Sequence, residues 1–166
     1  MDHLGIAEGT VVADLGAGGG WFTIRLAHRV GPNGVIYAQD IQPEMIGAIE
    51  RRVAREGLRN VIPRLGTPVD PEIPDGTVDA VLIVDAYHEI EDPVTLLRNV
   101  GKDLKPKGVI GIINYKKDGG GPGPAMEERV DAEQVIADAR AAGLELRRRY
   151  NFLPYQYLLT FGVAPK

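Results

Sequence analysis

Short apolar runs alternate with amphipathic stretches over most of the chain. The segments "TVVADLG", "GVIYAQDI", "NVIPRLG" and "VDAVLIVDAY" are compact apolar runs of the kind that form buried strands. Between them, "WFTIRLAHRVG" and the stretch from Pro43 to Gly57 repeat apolar residues at helical spacing and end at a glycine. This order predicts an α/β fold with a mostly parallel sheet and helices on both faces.

The second half of the chain continues the alternation. Asp92 before "PVTLLRNVGKDL" predicts a capped helix, "KPKG" predicts a turn, and "VIGIINY" predicts a fifth strand. Asp131 and Gln134 have the spacing of a capping box at the start of the next helix. The segments "LELRRRYNF" and "QYLLTFGV", separated by a short break, predict an antiparallel pair of strands. Pro63 predicts an irregularity or a bulge in the third strand.

Composition places the chain among ordinary globular domains. Its 166 residues suffice for one domain, and 44% hydrophobic with 25% charged residues is the balance of a protein with a packed core. A net charge of -4 argues against a general nucleic-acid binder. The absence of cysteine excludes disulfides, thiolate metal sites and a cysteine nucleophile. With neither a signal-peptide pattern nor a long apolar run, we expect a cytoplasmic protein with no membrane partner.

The first predicted strand runs into a glycine-rich turn with the pattern D-x-G-x-G-x-G, formed by Asp14, Gly16, Gly18 and Gly20. Such glycines let a ligand approach the main chain, and ligands of open α/β sheets bind beyond the carboxyl ends of the strands. The plainest alternative is a turn that only packs strand against helix. A second alternative is a dinucleotide site, but its G-x-G-x-x-G pattern would need a glycine at Trp21.

Two aspartates favour a cationic nucleoside as the ligand. Asp40 ends the second strand about 20 residues after the glycines, where a carboxylate accepts hydrogen bonds from a ribose diol. Asp14 adds a negative charge at the turn, which repels a phosphate and attracts an ammonium or a sulfonium. The residues therefore predict a ligand with adenosine at one end and positive charge at the other.

With these residues, "VVADLGAGGGWFTIRLAHRVGPNGVIYAQDIQPEMI" resembles the cofactor-binding half of the class I S-adenosylmethionine-dependent methyltransferases, in particular the type 11 and type 25 domains. The resemblance continues through "VDAVLIVDAYHEIEDPVTLLRNV" and "LKPKGVIGIINY" and covers nearly the whole chain. It implies a Rossmann-like, doubly wound seven-stranded sheet whose last strand is antiparallel. It also implies an enzyme that uses S-adenosylmethionine, releases S-adenosylhomocysteine and methylates a small-molecule acceptor.

The resemblance also assigns roles to residues at the strand ends. Asp40 would bind the ribose hydroxyls, and Ile41 would lie beside the adenine. Asp85 would lie near the methionine amino group or the methyl donor. The full set that the resemblance places around the cofactor is Asp14, Gly16, Ala17, Gly18, Gly20, Asp40, Ile41, Gly66, Thr67 and Asp85.

Residues just beyond the fourth strand are candidates for the chemistry. The segment "DAYHEIED" places His88, as a general base, and Tyr87, as a pocket wall or a contact to the sulfonium, at the mouth of the site. A loop histidine that orients the next helix is the competing interpretation of His88. Asp85, His88 and Glu89 lack a diagnostic metal-ligand spacing, so we expect no metal. Trp21 is expected to pack the first helix on the sheet, and "KKDGGGPGPAMEE" to form a flexible loop, either disordered or a lid.

The domain organisation and two rival functions complete the expectations. The first strand begins near Thr10, so we expect a single minimal domain over residues 1–166, without the helices that family members usually carry before this strand. Either a monomer or a homodimer is expected. The rivals are a non-catalytic adenosyl-ligand-binding or accessory protein, and a nicotinamide-dependent oxidoreductase. The absence of a Tyr-x-x-x-Lys pair also argues against the oxidoreductase.

Overall fold

A computed structural model describes residues 1–166 as seven strands and four helices, which alternate except between the third and fourth strands and between the last two strands. The strands are β1 (Val11–Leu15), β2 (Val35–Asp40), β3 (Val61–Leu65), β4 (Val78–Val84), β5 (Leu104–Tyr115), β6 (Leu144–Tyr150) and β7 (Gln156–Val163). The helices are α1 (Trp21–Val30), α2 (Pro43–Arg55), α3 (Pro93–Asp103) and α4 (Ala132–Ala141), with single 3-10 turns at Asp2–Leu4, Tyr87–Glu89 and Met126–Glu128. None of the helices has the length and apolar character needed to cross a lipid bilayer.

The strands form one sheet in the order β3-β2-β1-β4-β5-β7-β6. Strands β1 to β5 pair in parallel, whereas β7 runs antiparallel to both of its neighbours, β5 and β6. The predicted α/β class, the seven strands and the antiparallel last strand are therefore confirmed. Because the chain moves outward from β1 to β3 and then returns to β4, the carboxyl ends of β1 and β4 mark the point where the strand order reverses.

Helices cover both faces of the sheet. On one face α3 and α4 pack over the central strands through Leu97, Val100 and Val135. On the other face α1 and α2 pack over β1, β2 and β4. The buried side of α1 repeats at helical spacing and consists of Thr23, Leu26, Ala27 and Val30.

Trp21 lies outside that buried stripe of α1. Trp21 lies on the side of the helix opposite to this stripe, and it is therefore 59% exposed. The Arg25 guanidinium lies 3.9 Å from the centre of its ring. The expectation that Trp21 packs the helix on the sheet is therefore wrong.

Two local predictions about the sheet also differ from the structure. The predicted "KPKG" turn lies inside β5, because Leu104 already pairs with Val78 and pairing resumes at Val109 and Ala80. Residues 105–108 form a bulge between these pairs. Pro63, by contrast, causes no bulge: β3 is an edge strand and its register with β2 is continuous.

The predicted capping box at α4 does not form. Asp131 occupies the N-cap position without a side-chain hydrogen bond to the helix. The amide of Gln134 instead donates to Asp138 Oδ1 at 2.8 Å, one turn further along. The other oxygen of this carboxylate, Asp138 Oδ2, accepts a hydrogen bond from the Tyr87 hydroxyl. The expected cap of α3 is confirmed, since Asp92 accepts a hydrogen bond from the Thr95 N–H at 3.1 Å.

Candidate functional site

A cleft of about 380 Å³ opens at the carboxyl ends of β1, β2 and β4, beside the reversal of strand order. This is the place where open α/β sheets bind their ligands. Six residues expected to contact a ligand line the cleft: Gly16, Gly18, Asp40, Ile41, Thr67 and Asp85. Its other lining residues are Leu15, Gln39, Gln42, Met45, Pro68, Ile83, Val84, Ala86, Glu89, Ile90, Glu91 and Leu96.

The glycine turn after β1 brings bare main chain to the floor of the cleft. Gly16 and Gly18 have φ values of 67° and 57°, in the region that side chains disfavour. A Cβ on Gly16 would lie 2.9 Å from the Cβ of Ala86, so β1 and the residues after β4 come close only because no side chain intervenes. A Cβ on Gly18 would contact no protein atom within 4 Å, and a side chain there would occupy the cleft itself.

Four N–H groups of this turn, those of Gly16, Ala17, Gly18 and Gly20, have acceptors inside the protein. Gly18 donates to Asp40 Oδ2 at 2.9 Å, and Gly16 donates to Gln39 Oε1 at 3.3 Å. Ala17 donates to the Gln39 carbonyl, and Gly20 donates to the Ala17 carbonyl. These four N–H groups are therefore not available to a diphosphate, which a dinucleotide fold binds through N–H groups that point at the ligand.

Asp40 fastens the turn and still faces the cleft. Its Oδ2 accepts from Gly18 and its Oδ1 accepts from the Gln42 N–H at 3.0 Å. Each carboxylate oxygen keeps a further lone pair, so the group retains the capacity to accept two hydrogen bonds from a vicinal diol. Ile41 next to it is 49% exposed, and Met45 and Pro68 add apolar surface for a flat ring.

Asp14 lies beneath the turn and does not line the cleft. It is buried, and its Oδ2 accepts a hydrogen bond from the Thr23 hydroxyl at 2.7 Å. Burial raises the pKa of Asp14 to about 7; the Thr23 hydrogen bond opposes this rise and the nearby Asp40 adds to it. The group is therefore poised to change its charge near neutral pH.

Three other expected contacts also support the cleft from behind. Ala17 and Gly20 belong to the hydrogen-bonded turn, and the Gly66 N–H donates to the Asp40 carbonyl at 3.0 Å. None of the three lines the cleft. Their positions hold Gly18, Asp40 and Thr67 in place.

Asp85 directly follows β4 and has an unusual backbone conformation. Its φ of 54° places a non-glycine residue in the left-handed region, which aspartate tolerates better than most residues. Both carboxylate oxygens accept from the Gln156 amide, at 2.7 and 3.0 Å. Burial raises the pKa of Asp85, and the Gln156 amide and the His88 ring partly offset that rise. Backbone strain of this kind tends to occur at functional sites.

The two expected catalytic residues do not line the cleft. The Tyr87 side chain turns into the core, where its hydroxyl donates to Asp138 Oδ2 at 2.6 Å and burial raises its pKa. His88 is largely buried, with Nε2 3.8 Å from Glu89 Oε1 and with a buried Nδ1 that has no hydrogen-bond partner. No group of three or more His, Cys, Asp or Glu side chains is arranged to hold a metal ion.

The charged lining of the cleft is entirely acidic. Asp40, Asp85, Glu89 and Glu91 line it, and no lysine, arginine or histidine does. Neither Glu89 nor Glu91 was among the residues that the sequence predicted around the ligand. Their position could have indicated a place in the cleft, because they follow a central strand by a few residues, at the same edge of the sheet as Asp40.

Comparison with known proteins gives a consistent picture. The sequence profile of the methyltransferase domain family matches residues 12–108, more than half of the chain. An uncharacterised methyltransferase of Mycobacterium tuberculosis is 35% identical over 119 residues, covering 71% of this chain and 45% of the relative. A demethylmenaquinone methyltransferase of Anoxybacillus flavithermus is 30% identical over 110 residues, covering 66% of this chain and 46% of the relative. The chain thus spans about half the length of the curated relatives that it matches.

A solved structure resembles the whole chain. The crystal structure of a SAM-dependent methyltransferase from Aquifex aeolicus superimposes with a TM-score of 0.92 at 29% identity, covering 96% of this chain and 85% of that protein.

Proposed function

The chain belongs to the methyltransferase domain family, and on that premise we propose that it binds S-adenosylmethionine in the cleft and transfers the methyl group to a small-molecule acceptor. The observation that carries the proposal is the charge and hydrogen bonding of the cleft. Its ionisable lining is acidic, and four N–H groups of its glycine turn already donate to acceptors within the protein. Such a cleft suits a cationic adenosine derivative and not a diphosphate.

The residues present fit this cofactor. Asp40 offers acceptors for the two ribose hydroxyls, and Ile41 with Met45 offers an apolar surface for the adenine. Thr67 closes the adenine end, held by the N–H that it donates to the Asp70 carbonyl at 2.8 Å. Gly16 and Gly18 leave room for the methionine portion, and Asp85 holds its cationic end. Asp14, Ala17 and Gly20 act through the glycine turn, and Gly66 acts through Asp40, without direct contact to the cofactor.

Methyl transfer from this cofactor requires mainly that the protein positions the reacting groups. When bound, S-adenosylmethionine supplies an activated methyl group that is displaced in line from the sulfonium. The chain's own residues orient that group and exclude water from the cleft. Asp85 is the titratable group that both lines the cleft and has a raised pKa, and His88 lies behind it. We assign Gln156 to holding the Asp85 carboxylate, to which its amide donates at 2.7 and 3.0 Å, and Tyr87 to anchoring the turn after β4 on α4.

A small molecule is the acceptor class that the relatives favour. One relative is named for demethylmenaquinone and another, from Saccharothrix syringae, is named as a nocamycin O-methyltransferase. A screen of phenols, quinols, amines and carboxylates with labelled cofactor tests this class. Transfer of label to any member supports methyl transfer, and cofactor binding without transfer by the full-length protein favours the accessory-protein alternative.

Calorimetry tests the cofactor directly. We expect S-adenosylmethionine and S-adenosylhomocysteine to bind and NAD not to bind. The variant Asp40→Ala should weaken both ligands by about 1–3 kcal/mol, because it removes a charged hydrogen-bond acceptor. The matched control Asp75→Ala, a carboxylate outside the cleft, should leave both affinities unchanged. Binding of NAD alone would overturn the proposal.

A further inference from the structure

The ionisable side chains that line the cleft divide into two pairs. Asp40 and Asp85 are committed to the fold, since each accepts two hydrogen bonds from protein donors. Glu89 and Glu91 accept none, unlike the neighbouring Asp92, which caps α3. Glu89 has only the His88 ring nearby, at 3.8 Å. Two carboxylates therefore line the cleft without a structural task.

These two glutamates flank Ile90, which also lines the cleft, so both stand on one wall. No cationic side chain lines the cleft to neutralise them. Both are exposed, so their field acts through water and is weak at any one point. It nevertheless acts on the net charge of whatever occupies the cleft, independently of the detailed contacts.

The cofactor changes its net charge in the reaction. S-adenosylmethionine carries a sulfonium and an ammonium against one carboxylate, whereas S-adenosylhomocysteine has a neutral thioether in place of the sulfonium. We infer that Glu89 and Glu91 make the cleft prefer the charged methyl donor over its neutral product, and so limit inhibition by that product. This inference rests on the proposed function, because it concerns the same cleft and the same cofactor.

The size of the effect follows from Coulomb's law. Unit charges separated by about 6–10 Å in a water-like medium change a dissociation constant about two- to threefold. Removing both carboxylates should therefore change the affinity for the methyl donor about four- to tenfold. The affinity for S-adenosylhomocysteine should change by less than about twofold, since its net charge is zero.

The test compares dissociation constants of the two ligands by calorimetry at low salt. The variants are Glu89→Gln, Glu91→Gln and the double substitution, which preserve shape and remove charge. Glu127→Gln is the matched control, because Glu127 is exposed and does not line the cleft. We expect the ratio of the two constants to shift toward S-adenosylhomocysteine in the double variant and to stay fixed in the control. In the unsubstituted protein, added salt should shift the ratio the same way.

The possible results of this comparison separate the inference from the proposed function. An unchanged ratio in the double variant overturns the inference while leaving the proposed function intact, and so does an equal loss of affinity for both ligands. Failure of the unsubstituted protein to bind either ligand overturns the proposed function itself. Melting curves of the variants confirm that each is folded.

Discussion

Asp14 is a residue whose contribution to the stability of the fold depends on pH. Its carboxylate is buried beneath the glycine turn with one hydrogen bond, from Thr23, and burial raises its pKa from 3.8 to about 7. The folded chain thus holds a proton on Asp14 that the unfolded chain releases well below pH 7. The stability that this proton contributes is fully present below pH 3.8 and is lost as the pH rises to about 7.

Replacement of Asp14 by asparagine should remove this pH dependence. The variant keeps an oxygen for the Thr23 hydroxyl and has no charge to bury. Relative to the unsubstituted protein, its free energy of unfolding should rise by about 2–3 kcal/mol between pH 5 and pH 8. Urea denaturation of both proteins at each pH measures the difference, which also cancels the contribution of Asp103, a second carboxyl with a pKa raised to about 7. A difference that does not change with pH would contradict this account of Asp14.

Single residues also show what the sequence could and could not predict. The location of Gly16, Gly18 and Asp40 in the cleft was predictable because it follows from their backbone position at a strand end. The direction of Tyr87 was not, because it depends on Asp138, which is 51 residues away in the chain. The burial of Asp14 under its own turn likewise depends on Thr23 in the helix that follows.

At the scale of elements, the glycine-rich loop between β5 and α4 is built around a buried arginine. Arg129 is 6% exposed, and its guanidinium donates to the carbonyl oxygens of Lys116 at 3.0 Å, Gly120 at 2.8 Å and Pro124 at 3.0 Å. It forms no ion pair with a carboxylate, and it lies 5.2 Å from the centre of the Tyr115 ring. Residues 116–124 are thereby held by one side chain.

Replacement of Arg129 by glutamine should loosen this loop. Several carbonyl groups lose their donor, so the free energy of unfolding should fall by about 2–3 kcal/mol. Trypsin cleavage after Lys116 or Lys117 in the native protein should accelerate. Arg148→Gln is the control, because Arg148 lies exposed on the edge strand β6. Equal cleavage rates in the two variants would show that Arg129 does not hold the loop.

The same loop shows the limit of composition as a guide. Its glycines and prolines predict flexibility. No local pattern reveals that Arg129, later in the chain, donates hydrogen bonds to the carbonyl groups of this loop. Elements with strong periodicity, such as α1 and α2, were predicted with their correct ends. The prediction of a turn before β5 at "KPKG" was wrong because Leu104 is buried in the core and already pairs with Val78, so β5 begins before these residues. The expected packing of Trp21 on the sheet was wrong, although the sequence already places this residue opposite the apolar side of α1.

At the scale of the whole molecule, the reversal of strand order and the acidic side chains of the cleft lie at the same edge of the sheet. The reversal of strand order brings the ends of β1, β2 and β4 together, and these ends carry the glycine turn, Asp40 and Asp85. The alternation of strands and helices was enough to predict this meeting point. The acceptor side was not predictable, because it depends on loops whose conformations are set by distant contacts such as the Asp85–Gln156 pair.

A crystal structure of the chain with S-adenosylhomocysteine tests the central claim most directly. We predict electron density for the nucleoside in the cleft, with the ribose hydroxyls within hydrogen-bonding distance of Asp40 and the adenine against Ile41. Density for the ligand elsewhere on the molecule, or a cleft that stays free of ligand at saturating concentration, would contradict the claim.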